Sequence, residues 1–229
     1  MNNIIFWDFH GTLGYNDWMF SKALHKVLIS YEPNSSVGIE DFKRRPMSGF
    51  SWQNCDKEYL HLTDGTAWWK HAENIFIDCY KGFNITEENA VQYAQDVRGQ
   101  LTKVDGFILY EDTIEMLNYF KEKGYTNIIL SNHVPELPRI VEELGLSPYL
   151  LECISSANVG YEKPNTKIYE YALEKYNNPK EVWMVGDSIS ADVKGAESVG
   201  IKGVLVRSTR EDGIRYYSKD LLGLREIIK

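Results

Sequence analysis

Short, largely apolar runs lie at the start of the chain and again in its second half. The first covers residues 4–7, and later ones cover 127–130, 182–185 and 203–206. Such a run is typical of a strand that is buried on both faces of a parallel sheet. Helical patterns alternate with these runs, so the sequence predicts an α/β fold with a doubly wound, Rossmann-like parallel sheet. The helical patterns cover residues 112–123, 135–144, 164–176 and 188–199.

Residues 15–104 show a different pattern, in which apolar positions recur every three or four residues. This spacing is typical of helices that bury one face. We expect an all-helical cap domain at 15–104, inserted into an α/β core domain formed by 1–14 and 105–229. The basic cluster at 43–45 precedes a proline and is predicted to be a solvated loop. The predicted helix faces are Phe20, Leu24, Val27 and Tyr31; Trp52, Cys55, Tyr59 and Leu62; Trp69, Ala72, Phe76 and Cys79; and Ala90, Tyr93 or Ala94, Val97 and Leu101.

The composition narrows the classes of function. The 229 residues include 25 Lys and Arg against 33 Asp and Glu, which gives a net charge of −8. An acidic chain of this kind is not expected to bind nucleic acid or an anionic membrane through its net charge. The three distant cysteines form neither a disulfide framework nor a zinc motif, and no signal peptide or membrane span is evident. We therefore expect a cytoplasmic protein, monomeric or dimeric, without nucleic-acid or membrane partners.

Polar side chains that suit phosphate chemistry follow the apolar runs. Ligands of open α/β sheets bind outside the carboxyl ends of the strands, so these side chains are expected to converge. Asp8 and Asp187 would repel each other unless a cation lay between them, and carboxylate oxygens are ligands that Mg²⁺ prefers. With Lys163 as a further positive charge, one carboxylate could attack phosphorus and form an aspartyl-phosphate. The hydroxyls of Thr12 and Ser131 would then be neutral donors to the phosphoryl group.

Four short motifs in this order resemble those of the haloacid dehalogenase superfamily. The resemblance spans the chain, and the helical segment corresponds to the cap domain that follows the first motif in the phosphatase branch of that family. The motifs are DFHGTL at residues 8–13, which is similar to D-x-D-G-T-[LV]; Ser131 after an apolar strand; KP at 163–164; and GDSISAD at 186–192, which matches G-D-x-x-x-x-D.

The resemblance implies a role for each matching residue. Asp8 would be the nucleophile and a Mg²⁺ ligand, the main-chain carbonyl of His10 and the carboxylate of Asp187 would complete the protein ligands, and Asp192 would orient either Lys163 or the water shell of the metal. On the phosphate side, Ser131, the backbone N–H of Asn132 and Lys163 would bind the transferring group. Lys163 would also pair with Asp8.

One position departs from the family pattern, because His10 stands where the phosphatases usually carry a second Asp. That Asp protonates the leaving oxygen and then activates water. An imidazole also exchanges protons near neutral pH, but a neighbouring Mg²⁺ disfavours its charged form. We therefore expect His10 to assist the leaving group less well than an Asp would.

These observations together predict a Mg²⁺-dependent phosphomonoester phosphatase. Its substrate would be a small soluble phosphate such as a sugar phosphate, phosphoglycolate or a nucleotide, hydrolysed through an aspartyl-phosphate. Two alternatives stay open at the level of the sequence. One is a 2-haloacid dehalogenase, in which Asp8 would attack carbon, and the other is a catalytically impaired member of the family that acts as a binding or regulatory protein.

Overall fold

A computed structural model describes residues 3–177 and 179–229. Its main sheet has six strands in the order β5-β4-β1-β6-β7-β8, and all neighbouring strands are parallel. The doubly wound parallel sheet predicted from the sequence is therefore confirmed. The strands are β1 (Asn3–Trp7), β2 (Gly14–Tyr15), β3 (Ile108–Leu109), β4 (Tyr125–Ser131), β5 (Glu152–Ser155), β6 (Val182–Gly186), β7 (Lys202–Val206) and β8 (Tyr216–Ser218).

Strand β1 lies in the middle of the sheet and is buried on both faces. Phe6 is in register with Ile128 of β4 on one side and with Met184 of β6 on the other. Alternate β1 side chains point to opposite faces, so Phe6 belongs to one hydrophobic core and Trp7 to the second. This position explains the uninterrupted apolar run, because neither face of the strand meets water.

Helices cover the sheet and form most of the segment that follows the first strand. No helix in residues 3–177 or 179–229 is long and apolar enough to cross a membrane. The helices are α1 (Met19–Tyr31), α2 (Ile39–Arg44), α3 (Gly65–Lys81), α4 (Glu87–Leu101), α5 (Thr113–Glu122), α6 (Leu137–Glu143), α7 (Ser156–Val159), α8 (Thr166–Lys175), α9 (Gly195–Glu197) and α10 (Leu224–Ile227).

Helices α1 to α4, with the residues just before α1, form what we call the helical insertion, residues 16–101. Helices α3 and α4 bury the faces that the sequence predicts. Helix α1 buries Leu24 and Val27 of its predicted face, but Phe20 is only partly buried and Tyr31 is exposed. Tyr80 of α3 donates a hydrogen bond of 2.8 Å to the carbonyl of Leu24 in α1, and Tyr31 stacks on Tyr93 with ring centroids 4.5 Å apart. The boundaries of a separate cap domain at 15 and 104 stay a prediction.

The prediction of a helix over residues 52–62 is wrong. Only two single 3₁₀ turns form there, at Ser51–Gln53 and Leu60–Leu62. The backbone between them bonds to the core domain, since Tyr59 N–H donates to the carbonyl of Gly160 at 2.8 Å and the Asn165 amide donates to the carbonyl of Cys55 at 3.0 Å. These tertiary bonds replace the bonds that a helix would form within itself.

The solvated loop predicted at 43–45 is also wrong in part. Lys43 and Arg44 lie in the last turn of α2, and Arg45 is the residue that ends it. The buried ring of Phe42 packs this helix against α3, with its centroid 5.9 Å from that of Tyr80. Cationic side chains on the last turn suit the negative end of the helix dipole, so most of the basic cluster belongs to a helix that the sequence did not predict.

Candidate active site

The candidate site lies at the carboxyl edge of the sheet, where β1, β4 and β6 end. Asp8 follows β1 directly, Ser131 is the last residue of β4, and Asp187 follows β6. Because these strands are parallel and adjacent, their carboxyl ends meet at the same edge. The structure thus places side by side three residues that lie far apart in the sequence.

Asp8 is held by two donors that bond to the same carboxylate oxygen. Ser131 Oγ donates to Asp8 Oδ1 at 2.8 Å, and Lys163 Nζ lies 2.9 Å from that atom. Neither bond uses Oδ2. Asp8 is only 7% exposed, so charge-assisted hydrogen bonds with this geometry fix its orientation in a region that water hardly enters.

Lys163 bridges two carboxylates. Its Nζ lies 2.5 Å from Asp192 Oδ1 in addition to the contact with Asp8, and its side chain is 1% exposed. Burial lowers the pKa of Lys163, but the neighbouring carboxylates of Asp192 and Asp8 outweigh this effect and raise the pKa above its ordinary value. The lysine therefore carries a positive charge into the site at any physiological pH.

Asp8, Asp187 and Asp192 form a compact carboxylate cluster. One oxygen from each lies within 4.8 Å of the others. Burial and, second, the negative charge of Asp8 raise the pKa of Asp187 to about 6. Clustered carboxylates with like-charge repulsion are a donor set for a hard divalent cation such as Mg²⁺.

Two glycines make room for these carboxylates. Gly11 has φ +88°, and a Cβ built there would lie 2.4 Å from Asp187 Oδ2. A Cβ on Gly186 would lie 2.1 Å from the carboxyl carbon of Asp192. Both glycines of the matching motifs are therefore required by close approach, and the first also by a left-handed backbone.

A local turn fixes Asp192. The helix expected over 188–199 begins with a π-helical turn, Ile189–Lys194, before the short α9. Ser188 Oγ accepts from the N–H of Ala191 at 3.1 Å, while Ser188 N–H donates to Asp192 Oδ2 at 3.0 Å. Asp192 thus uses one oxygen for its own loop and the other for Lys163, which fits the positioning role that the resemblance implies.

The side chain of Asn132 forms contacts that sequence reasoning missed. Its amide nitrogen donates to the carbonyl of Lys163 at 2.8 Å, and its amide oxygen accepts from the Lys163 N–H at 2.7 Å. The two bonds clamp the backbone that carries the lysine. The sequence predicted only the Asn132 backbone N–H as a ligand of phosphate, and that role stays a prediction.

The remaining two predicted site residues differ in their placement. His10 borders the cavity above the carboxylates, and its Nε2 accepts from Asn16 N–H at 3.3 Å. Thr12 is fully buried, and within residues 3–177 and 179–229 its hydroxyl neither has a hydrogen-bond partner nor reaches the cavity wall. The role of the Thr12 hydroxyl as a donor to a phosphoryl group stays a prediction.

A cavity of about 570 Å³ opens above the carboxylates. The core side of its wall contains the three carboxylates, Lys163, Asn132 and the buried His133. The helical insertion supplies a wall that is mainly apolar but contains two cations. The insertion residues on this wall include Trp18, Met19, Phe20, Phe42, Lys43, Arg45, Met47 and Trp52.

An open α/β sheet with a lysine-bridged carboxylate cluster at its strand ends places this chain among α/β hydrolytic enzymes. A family model described as haloacid dehalogenase-like hydrolase matches residues 3–200. The chain therefore belongs to the haloacid dehalogenase-like hydrolase family.

Several characterised relatives are phosphatases. The glyceraldehyde 3-phosphate phosphatase of Methanothermobacter thermautotrophicus is 32% identical over 102 residues, which are 43% of this chain and 45% of that protein. The pyrimidine 5'-nucleotidase YjjG of Escherichia coli is 35% identical over 91 residues, 38% of this chain and 40% of that protein. The chain thus matches less than half the length of these relatives.

The fold is shared over the full length with solved structures. A putative HAD-hydrolase from Bacillus subtilis has a TM-score of 0.71 at 16% identity, with 99% of this chain and 98% of that chain covered. At this identity the likeness supports the architecture, including the helices that follow the first strand.

Proposed function

We propose that this protein is a Mg²⁺-dependent phosphomonoester phosphatase that works through an aspartyl-phosphate on Asp8. The observation that carries the proposal is the state of Asp8, whose Oδ1 is held by Ser131 and Lys163 while these bonds leave Oδ2 free to react. Its substrate would be a small soluble phosphate such as a sugar phosphate, phosphoglycolate or a nucleotide. The phosphatases among the relatives support this class.

The residues present fit Mg²⁺. The carboxylates of Asp8 and Asp187 would hold it together with the backbone carbonyl of His10, and Asp192 would contact its water shell. Three carboxylate oxygens within 4.8 Å of one another supply the hard donors that this ion prefers. When bound, the ion supplies positive charge that offsets the repulsion between the carboxylates and the phosphate dianion.

The chain's own residues would carry out two displacements at phosphorus. In the first, a carboxylate oxygen of Asp8 forms a bond to phosphorus, and the bond from phosphorus to the leaving oxygen breaks. His10 would give that oxygen a proton. In the second, water attacks the same phosphorus and gives a proton to His10, and the bond between phosphorus and the Asp8 oxygen breaks. This restores the Asp8 carboxylate and releases inorganic phosphate, while Lys163 compensates the charge of the phosphoryl oxygens throughout.

Phosphate release from p-nitrophenyl phosphate, with and without Mg²⁺, tests this proposal. We expect hydrolysis that depends on Mg²⁺ and is abolished in Asp8→Asn. A matched control is Asp212→Asn, which removes an exposed carboxylate outside the site and should leave the rate unchanged.

Other outcomes would overturn the proposal. Metal-independent halide release from a 2-haloacid would show that Asp8 attacks carbon. A folded protein that binds Mg²⁺ but turns over no member of a broad panel of phosphates and haloacids would indicate a binding or regulatory protein.

A further inference from the structure

Trp18 is an exposed aromatic residue on the wall of the active-site cavity. It precedes α1 directly and borders the cavity, yet 57% of its surface is accessible to solvent. Trp68 and Trp69, also in the helical insertion, are each only 2% exposed. A large indole that stays uncovered beside a catalytic centre is available to a ligand.

The backbone of Trp18 adopts an unfavourable conformation. Its φ of 57° and ψ of 33° lie in the left-handed region, which residues with a Cβ enter at a cost. Hydrogen bonds on both sides impose this conformation, since Met19 N–H donates to the carbonyl of Asn16 at 3.2 Å and Lys22 N–H donates to that of Trp18 at 2.8 Å. Strain of this kind is found preferentially at ligand sites.

A cation lies over the Trp18 ring. Lys43 Nζ is 5.3 Å from the ring centroid and also pairs with Glu40 at 2.8 Å. Lys43 itself borders the cavity. A cation over one face of an indole holds the ring in place, and the accessible surface leaves room for a second flat group.

The neighbouring wall of the insertion is also aromatic. Trp52 stacks on Phe50 with ring centroids 4.5 Å apart and an interplanar angle of 11°, and Phe20 packs 5.8 Å from Trp52. Arg45 adds positive charge to the same wall, and its buried Nε has no hydrogen-bond partner among the described residues. A compact polyol phosphate would leave this apolar wall in contact with water.

We propose that Trp18 stacks on a flat aromatic ring in the substrate, so that the leaving group of this enzyme is an aryl or nucleobase-bearing group. This inference rests on the proposed phosphatase function and narrows its substrate class. Stacking between an aromatic side chain and a base or aryl ring adds affinity largely independent of hydrogen bonding. Lys163 would bind the phosphoryl end, while Trp18 and Lys43 would bind the ring.

Binding of two phosphonates that are not cleaved tests the proposal without any turnover. Phenylphosphonate and methylphosphonate are titrated in the presence of Mg²⁺ into wild type, Trp18→Ala, Trp18→Phe and Ile29→Ala, with the dissociation constant measured by calorimetry. The last variant is a control that removes another exposed apolar side chain of α1.

We expect Trp18→Ala to weaken the binding of phenylphosphonate by about tenfold, as for the loss of one stacking contact. The binding of methylphosphonate should weaken by less than about twofold. Trp18→Phe should restore most of the affinity, and Ile29→Ala should bind both ligands as wild type does. In hydrolysis, Trp18→Ala should raise KM for phenyl phosphate and uridine 5'-monophosphate but not for glycerol 3-phosphate. A rise for only one of the two ring-bearing substrates would show which kind of ring the site takes.

The proposal is overturned if Trp18→Ala weakens both phosphonates by the same factor, because Trp18 would then act only through the structure of the insertion. It is also overturned if wild type binds phenylphosphonate no more tightly than methylphosphonate. These results are separable from failure of the proposed function, which would show as an absence of phosphate release by wild type from every phosphomonoester.

Discussion

Ser51 in the helical insertion donates a hydrogen bond of 2.5 Å to Glu162, the residue directly before Lys163. The two residues are 3% and 2% exposed, and they lie 111 positions apart in the chain. The insertion is thereby tied to the loop that carries the ammonium of the active site. Because a buried carboxylate needs a partner, this contact is expected to stabilise the junction between the two parts.

Removing the Ser51 hydroxyl should destabilise the protein. Ser51→Ala takes away the hydrogen bond and leaves the Glu162 oxygen buried, which costs about 1–3 kcal/mol in the free energy of unfolding. Urea denaturation measures the loss. Ser30→Ala is the matched control, since Ser30 is an exposed residue whose hydroxyl donates to the carbonyl of Val27 in its own helix. Equal losses in the two variants would contradict a special role for the contact.

The carboxyl group of Glu162 should make the free energy of unfolding depend on pH. Burial raises the pKa of Glu162 above its ordinary value of 4.5, although Ser51, Ser156 and Lys163 oppose the effect. The folded state then binds the proton more readily than the unfolded state. Stability is therefore lost as pH rises from the ordinary value of 4.5 through the raised pKa of the folded state. Glu162→Gln should lack this decrease, and unfolding at a series of pH values shows the difference from wild type. Parallel curves for the two proteins would count against a raised pKa.

His133 should produce a dependence of the opposite sign. Its ring is buried, packed edge-on against Phe9 at 5.8 Å and 6.0 Å from Phe107. Burial first, and then the neighbouring His10, lowers the pKa of His133 from 6.5 to about 3. Below pH 6.5 this histidine is protonated in the unfolded chain but stays neutral in the folded protein. Stability therefore falls as pH drops from 6.5 towards 3.

The expected loss from this histidine between about pH 7.5 and pH 5.5 is on the order of 1 kcal/mol. Urea unfolding at the two pH values should show it in wild type and in the control His61→Gln, which removes an exposed imidazole. The variant His133→Gln should lack it. If His133→Gln keeps the full decrease, another group is responsible.

Gly11 allows a test of close approach at the carboxylate cluster of the candidate site. In Gly11→Ala the new Cβ would meet Asp187 Oδ2 at 2.4 Å, so the carboxylate must move. A displacement of about 1 Å in an active site can lower the rate on the order of a hundredfold, and we expect a loss of that size in hydrolysis of p-nitrophenyl phosphate, together with weaker binding of Mg²⁺.

Gly124→Ala is the control that separates the contact from the backbone strain. Gly124 has a φ of +84°, close to the +88° of Gly11, but no atom lies within 4 Å of the position that a Cβ would take there. Both variants should lose stability because the left-handed backbone disfavours alanine, whereas only Gly11→Ala should lose activity. A similar loss of activity in Gly124→Ala would show that backbone strain alone explains the loss in Gly11→Ala.

The sequence predicts the central strands of this fold better than the strands at its edges. Strands β1, β4, β6 and β7 lie inside the sheet, and burial on both faces gives each an apolar run. The edge strands have no such run, because Glu152 in β5 is only partly buried and β8 is the short segment Tyr216–Ser218. An edge strand is specified by its single neighbour more than by its own composition.

The residues of the candidate site also divide into those that the sequence could predict and those that it could not. Asp8, Ser131 and Asp187 could be placed from the sequence because a parallel sheet brings its strand ends together. The clamp of Asn132 on Lys163 and the contact of Ser51 with Glu162 span 31 and 111 residues. Nothing in the local pattern distinguishes these polar residues from exposed ones, so only the tertiary structure shows what they do.

His10 stands where the phosphatases that this chain resembles usually carry a second Asp, and kinetics can test its proposed role. Its imidazole borders the cavity, and Nε2 lies 3.3 Å from the backbone nitrogen and 3.4 Å from the carbonyl oxygen of Asn16, so the tautomer decides which ring nitrogen carries the proton. If that proton goes to the leaving oxygen, His10→Ala should slow an alkyl phosphate such as glycerol 3-phosphate by about 10²–10⁴-fold. It should slow p-nitrophenyl phosphate little, because its phenolate leaves without a proton. Equal factors for the two substrates would mean that His10 serves only to hold Asn16 at the start of the insertion.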